Sequence, residues 1–386
     1  MIRITDKSRC CGCEACRSAC PKNCISLKVD KEGFLYPQVD LLRCIDCHLC
    51  EKVCPMLHPV SSTMTPSVYA GINNDTDIRL QSSSGGIFTL IAEHILQKNG
   101  VVFGASFDDQ WNVVHTYAET REGLSRFRGS KYVQSYIGDT FLQAKQFLDE
   151  GREVLFSGTP CQIAGLKNFL CKPYQNLLTV DIVCHGVPSP KVWQKYLYES
   201  VCEAYHIRRG VSFSWVDKIT DISFRSKEKG WKKYHVKIEY QNGKKDMAPF
   251  YNNTYMNVFL SNLSLRSSCY VCPAKLYHTQ SDITLADFWG VDRLHPEMDD
   301  DKGCGLILVH NDHALSLLKS LDCQLQEQKL DEVIAFNPSI IHAVNKPENR
   351  KLFYMIFRKK NFVSAYHASN SSTLLMRIIR KIYRQL

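Results

Sequence analysis

Eight cysteines near the start of the chain carry the spacing of cluster chemistry. Cys10, Cys13, Cys16 and Cys20 are separated by two, two and three residues, and Pro21 follows. Cys44, Cys47, Cys50 and Cys54 repeat those intervals, and Pro55 follows. Thiols at i, i+3 and i+6 let one tight loop wrap an iron–sulfur cubane, while the cysteine before proline reaches across to a second cluster. The spacing therefore predicts two 4Fe–4S clusters. Cluster I takes Cys10, Cys13, Cys16 and Cys54; cluster II takes Cys44, Cys47, Cys50 and Cys20.

Zinc and disulfides fit less well. Structural zinc favours paired C-x2-C knuckles across a longer gap, and "MIRITDKSRCCG" lacks the apolar stretch of a secretory signal. Eighteen cysteines in 386 residues then argue for metal chemistry in a reducing cytoplasm. Cys11 and Cys24 fall outside the ligand pattern and read as bystanders.

The elements that position these residues follow from periodicity. "ISLKVDKEGFLYPQVD" alternates like two strands around a Lys-Glu-Gly turn. The Pro/Ser/Thr-rich stretch 56–71 puts a boundary near residue 62. Beyond it, strands at 100–107, 153–158 and 177–186 alternate with helices at 87–98, 139–149, 161–170 and 190–204, the pattern of a sheet covered by helices. Residues 211–250 are β-rich ("VSFSWV", "DISFRS", "KYHVKIEY"), and 305–321 returns to a strand and a helix. The expected class is mixed α/β (α+β), with a small two-cluster ferredoxin domain over 1–60. A larger mixed α/β region spans 61–345, in parts 61–150 and 151–345, and a basic tail occupies 346–386.

The formal charge of +9 resides in that tail: residues 349–386 hold nine Lys or Arg and no acid. No zinc finger, helix-turn-helix or RNA-binding signature accompanies it, so nucleic acid is not an expected partner. In "LLMRIIRKIYRQL" apolar and basic residues take opposite helical faces. Such a helix can lie peripherally on the inner face of a membrane or dock on protein, with "HASNSSTL" as a flexible lead-in. No apolar run reaches transmembrane length.

Three loops carry further chemistry. In "QSSSGGIFTLIAEHIL", Ser82, Ser83, Ser84, Gly85 and Gly86 precede a helix whose free amides suit an anion. "RGSKYVQS" adds Arg128, Lys131, Tyr132 and Gln134. In "FSGTPCQIAGL" a strand ends and Thr159-Pro160-Cys161 opens a helix, where thiolate is favoured. Cys184 closes the next strand, and Cys269 and Cys272 form another C-x2-C pair.

In order, the twin cluster motif, "SSSGG", "GSKYVQS", "GTPCQIAGL", "CHGVPSP", "CYVCP" and "SDITLADFWG" resemble the coenzyme F-420 hydrogenase/dehydrogenase beta-subunit family with an N-terminal dicluster ferredoxin domain. The resemblance covers residues 1 to about 345. It implies an iron–sulfur flavoprotein oxidoreductase in which 61–345 binds FAD. Electrons pass between an external ferredoxin or other redox partner protein, the clusters, FAD and an unidentified small-molecule acceptor. Some relatives occur among polysaccharide-biosynthesis genes. By the same resemblance Ser84, Gly85, Gly86, Lys131, Tyr132, Gln134 and Thr159 belong to the flavin site. Cys161, Cys184, Cys269 and Cys272 are candidates for a third cluster, with Cys304 able to replace one of them. His185 and Asp287 are candidate proton donors. Ala286-Asp287-Phe288 stands where many relatives carry Gly-Asp before Trp-Gly, and this bulkier turn argues against a deazaflavin substrate. Two rival readings remain: a non-catalytic electron-transfer subunit, and a redox sensor or scaffold with a vestigial flavin site.

Overall fold

The paired cysteine motifs fold as a paired backbone. Gly12 (φ +74°) and Asp46 (φ +49°) precede the second cysteine of each motif, and Glu14 (φ +62°) and His48 (φ +58°) follow it, all left-handed. Each pair bends its loop so that successive thiols turn inward, and a single helical turn follows, Ala15–Ser18 or Leu49–Lys52. Between the motifs β1 (Ile25–Val29) and β2 (Leu35–Val39) form an antiparallel hairpin.

This computed structural model describes residues 1–59, 65–275 and 279–370. The boundary expected near residue 62 and the terminal basic helix lie outside those residues. The larger region holds β3 (Ser67–Asn73), β4 (Val101–Phe107), β5 (Val113–Ala118), β6 (Val154–Gly158), β7 (Leu177–Ile182), β8 (Ile219–Ser226), β9 (His235–Tyr240), β10 (Lys245–Pro249), β11 (Ile283–Asp287), β12 (Gly305–Val309) and β13 (Cys323–Gln328). Eight of them make one sheet in the order β13-β3-β12-β11-β7-β6-β4-β5, and β10-β9-β8 make a second. Strands β4, β6, β7 and β11 are parallel, and β3 runs the same way because β12 is antiparallel to both β11 and β3.

That shared direction positions the site. The loops after β3, β4, β6, β7 and β11 all leave the carboxyl edge of the sheet, where open α/β sheets receive ligands. Val154, Leu155 and Phe156 of β6 are fully buried, as expected for a strand covered on both faces. The helices Ile87–Gln97, Thr140–Asp149, Pro160–Leu170 and Pro190–Ala204 form within a residue of their expected bounds. Pro160–Leu170 approaches the ferredoxin lobe so closely that a Cβ on Gly165 would lie 2.9 Å from Cys13 Cβ.

Two expectations fail for physical reasons. "VSFSWV" (211–216) forms no strand; a 3-10 turn at Val216–Lys218 precedes β8, and Val211 is exposed. Alternation there lacks a neighbouring strand to pair with. The start of the expected flexible lead-in is helical instead. Helices Arg350–Lys359 and Phe362–Asn370 bury Phe353, Phe357, Phe362 and Ala365, and the second includes His367–Asn370 of the expected lead-in. Among the described residues no helix is long and apolar enough to cross a membrane.

Arg350 joins this C-terminal pair to the ferredoxin lobe. Its guanidinium donates to both carboxylate oxygens of Glu32 (2.8 and 2.6 Å), to Tyr270 Oη and to the Leu265 carbonyl. Removing one member of a buried pair strands the other and costs about 3–5 kcal/mol. Because Glu32 keeps some access to water, Arg350→Met is expected at the lower end of that range, about 3 kcal/mol, read from anaerobic urea unfolding.

Candidate functional site

The N-terminal sulfurs surround two cavities in the groupings expected from their spacing. The inner cavity, about 430 Å³, is lined by Cys10, Cys13, Cys16 and Cys54 with Ile2, Ile4, Leu27, Leu35 and Met56. The outer, about 330 Å³, is lined by Cys20, Cys44, Cys47 and Cys50 with Ile25, Ile45 and Val39. Donors point at the sulfurs: Ile2 N–H to Cys50 Sγ (3.2 Å), Asp46 N–H to Cys44 Sγ (3.4 Å) and Arg266 Nη2 to Cys10 Sγ (3.3 Å). Such donors stabilise thiolate ligands and raise cluster potentials. Among the described residues no three Cys, His, Asp or Glu side chains converge as a single metal ion would require.

The two supposed bystanders are inside these cavities. Cys24 Sγ lies 3.3 Å from Cys20 Sγ, and its N–H donates to the same sulfur. Cys11 lines the inner cavity, and both Cys13 and Cys161 act on its raised thiol pKa. Spacing missed them because it describes the ligand loop and not what packs behind it.

At the carboxyl edge, Cys161, Cys184, Cys269 and Cys272 lie near enough to influence one another's ionisation. Burial raises Cys184 well above the ordinary thiol value, and Cys269, Cys161 and Cys272 add to the rise. Burial pushes Cys269 up to about 12, with Cys161 and Cys272 contributing. Cys161 is raised by its bond to Cys11 and by burial, so the thiolate expected at its helix N-terminus is overridden. Cys304 is elsewhere: buried, it points at the Gly71 and Gly305 carbonyls.

The remaining candidates divide. Ser84 Oγ donates to the Cys304 carbonyl (2.7 Å), while Lys227 Nζ donates to the Ser84, Arg79 and Lys302 carbonyls. Ser83 Oγ accepts from Ser130 N–H (2.6 Å), joining the two expected loops. Thr159 caps its helix through Gln162 and lies 3.2 Å from Cys161 Sγ. Lys131 is bonded to the Arg128 and Gly129 carbonyls, and burial lowers its pKa to about 7. Tyr132 stacks on Phe259 and accepts from Arg225.

Three candidates serve other purposes. Gly85 is buried where a Cβ would strike the Gly71 carbonyl and Gly305, so it permits strand packing and not ligand approach. Gly86 (φ +83°) makes the left-handed turn into its helix. Gln134 donates to the Cys11 carbonyl and accepts from Arg266, so it faces the ferredoxin lobe. Of the expected proton donors, Asp287 binds Arg225 through both oxygens and accepts from Trp231 Nε1. His185 hydrogen-bonds Asn262 Oδ1 (2.7 Å), and burial lowers its pKa. Phe288 turns fully into the core, so the bulk of "ADFWG" points inward.

Residues that sequence reasoning missed are buried cations. Arg225 also donates to the Ser83 carbonyl, stacks over Tyr234 at 4.0 Å, and leaves its Nε without a partner in the structure. Lys227 has its pKa lowered to about 7 by burial and then by Arg225. Their places in the β-rich segment gave no local signal that they would fold back onto the serine loop.

A protein with these cavities on an α/β sheet is an iron–sulfur redox protein. Family models narrow the class: the 4Fe-4S dicluster domain matches residues 9–57, and the coenzyme F420 hydrogenase/dehydrogenase beta subunit matches through its N-terminal (68–139) and C-terminal (151–332) models. The chain belongs to that beta-subunit family. A chain in the xenon-derivatised F420-reducing NiFe hydrogenase complex from Methanosarcina barkeri is similar at 14% identity, over 78% of this chain and 97% of that one, with a TM-score of 0.47. A comparison with curated proteins returns no match.

Two measurements test the site. Arg266 is fully buried beside Cys10, so Arg266→Gln should lower the midpoint potential of the inner-cavity cluster in an anaerobic EPR titration, leaving the outer one nearly unchanged. His115 is buried, its Nε2 bonds the Ser157 carbonyl, and burial lowers its pKa to about 4. The unfolded chain takes that proton first, near pH 6.5, so stability present above 6.5 is lost as pH falls towards 4. Between pH 7.5 and 5.0 the loss from this group is about 2 kcal/mol, and His115→Gln should remove that part of the pH dependence in urea unfolding.

Proposed function

We propose that this chain is an iron–sulfur, flavin-dependent oxidoreductase. It passes electrons from a protein donor, through clusters on the outer and inner cavities and a third on Cys161, Cys184, Cys269 and Cys272, to FAD at the carboxyl edge. The observation that carries the reading is the pair of four-cysteine cavities in the ferredoxin lobe, with Cys161, Cys184, Cys269 and Cys272 near one another at the carboxyl edge. Cys11, in the inner cavity, lies near Cys161. Thiols so buried and mutually repelling hold a proton tightly when empty, and a polycationic cluster removes it.

FAD, when bound, exchanges single electrons on one side and a hydride on the other. The chain's own residues would hold it as an anion. Lys131, Arg225 and Lys227 supply positive charge around the Ser83–Ser84 and Ser130 loops, and the partnerless Arg225 Nε offers a donor. Tyr132 and Thr159 line the same edge. Asp287 fixes the Arg225 guanidinium and is therefore a positioning residue. His185, a neutral ring beside Cys184, remains the candidate to move a proton to an organic acceptor. A link to polysaccharide biosynthesis rests on the family resemblance alone.

A second reading, an electron-transfer subunit without chemistry of its own, is favoured by Gly85, Gly86 and Gln134, all occupied with packing or docking. Metal and flavin analysis of anaerobically purified protein separates the two. About twelve irons with stoichiometric FAD is expected, and Cys184→Ser should fall to about eight irons with flavin retained. Eight irons in the parent would remove the third cluster. Absence of flavin after reconstitution would leave the subunit reading.

A further inference from the structure

The two cavities of the ferredoxin lobe have opposite surroundings. The inner one is walled in by the sheet region: Arg266 reaches Cys10, Gln134 reaches Cys11, and the helix Pro160–Leu170 presses Gly165 against Cys13. The outer one faces water, with Cys47 exposed. Beside Cys47 the chain displays Leu41, Leu42, Ile45 and Leu49 at 66, 99, 58 and 38% exposure.

Leu41 and Leu42 have no part in the cavity; Ile25, Val39 and Ile45 shield it. Holding such side chains in water forgoes roughly 25 cal/mol for every Å² of apolar surface. Apolar patches of this kind beside an exposed redox ligand fit a contact surface. The charge around it is biased. Asp40 bonds the Leu42 N–H and keeps its charge, while Asp46 and Glu51 take the terminal ammonium and His48, which leaves Lys22 and Arg43 against one free carboxylate. Arg43 donates to the Lys22 carbonyl, and neither Arg43 nor Lys22 has a carboxylate partner among the described residues.

Resting on the relay reading above, we propose that the Leu41–Leu49 face is the docking surface for a small, low-potential ferredoxin. The carrier has an apolar patch over its own cluster and an acidic rim. The apolar side chains exclude water between the two centres, and Lys22 and Arg43 steer the acidic rim onto them. One electron leaves the carrier's reduced cluster and one enters the cluster on Cys20, Cys44, Cys47 and Cys50. No bond forms or breaks and no proton moves.

The test is anaerobic stopped-flow reduction of the full, cluster-loaded chain by two reductants: a purified acidic two-cluster ferredoxin, and dithionite. Leu41→Glu/Leu42→Glu should lower the ferredoxin rate by about tenfold or more, with iron content and the dithionite rate unchanged. Arg43→Gln should flatten the fall of the ferredoxin rate with salt. The proposal is overturned if the double variant is reduced by ferredoxin at the parental rate. It is also overturned if both reductants slow together, which would make these leucines structural. A parental dimer split by the double variant would make the occupant a second copy of the chain. A parent without iron would sink the relay reading itself, whereas a loaded parent that answers dithionite and ignores ferredoxin sinks this face alone.

Discussion

The arrangement depends on one buried cation. Arg266 has no access to water, and a guanidinium in that state must find acceptors for its donors or lose several kcal/mol. It finds them on both sides of one junction: the Cys10 and Leu35 carbonyls and Cys10 Sγ in the ferredoxin lobe, and Gln134 Oε1 in the sheet region. Tyr36 and Phe34 close over it at 4.4 and 5.4 Å. Glu14 is the complementary pin: its buried carboxylate accepts from the Ile137 and Gly138 N–H groups, and burial raises its pKa despite them. A slip of the lobe would orphan both charges. Apolar contact alone would tolerate many orientations; paired buried charges tolerate one.

That fixed orientation holds Cys11 near Cys161 across the junction. It also keeps the eight N-terminal thiols around their two cavities with few polar neighbours. Burial and mutual repulsion raise Cys16, Cys184 and Cys269 well above the ordinary thiol range, so without metal the groups are neutral and cheap to bury. In the ferredoxin lobe, cluster insertion deprotonates the thiols and brings compensating positive charge. Loading and tight packing of the lobe are thus expected to be coupled, because the same cysteines form both the ligand sets and much of the apolar lining.

Legibility in the sequence follows interaction range. Ligand groupings within the ferredoxin lobe were readable because consecutive thiols lie three residues apart and one loop fixes their geometry. Helices such as Pro190–Ala204 were readable from their caps and periodicity. The "SSSGG" loop was read as a ligand cradle, yet Gly85 answers to a strand contact with Gly305, more than two hundred residues away. Gln134 answers to Arg266 and the Cys11 carbonyl. Arg225 and Lys227 sit in a strand-like run with no signal that β8 returns over the serine loop. Cys304, equal in sequence terms to its rivals, is separated from them by where β12 enters the sheet.

The cations at the carboxyl edge bear on whether the proposed ligand site is a working one or a relic. Lys131 and Lys227 are half-buried, their hydrogen bonds among the described residues go to backbone carbonyls, and burial lowers both to about 7. Buried lysines kept only for packing usually acquire a carboxylate or give way to apolar residues, since an unpaired ammonium is expensive out of water. Here the nearby carboxylate, Asp287, is already committed to Arg225 and Trp231. Two half-buried lysines, and an Arg225 Nε without a partner among the described residues, therefore flank the serine loop. An anion bound there would raise both lysine pKa values and recover the desolvation cost. A decayed flavin site would have no physical reason to retain that imbalance, so the charge pattern weighs for a phosphate-bearing ligand and against a vestigial one.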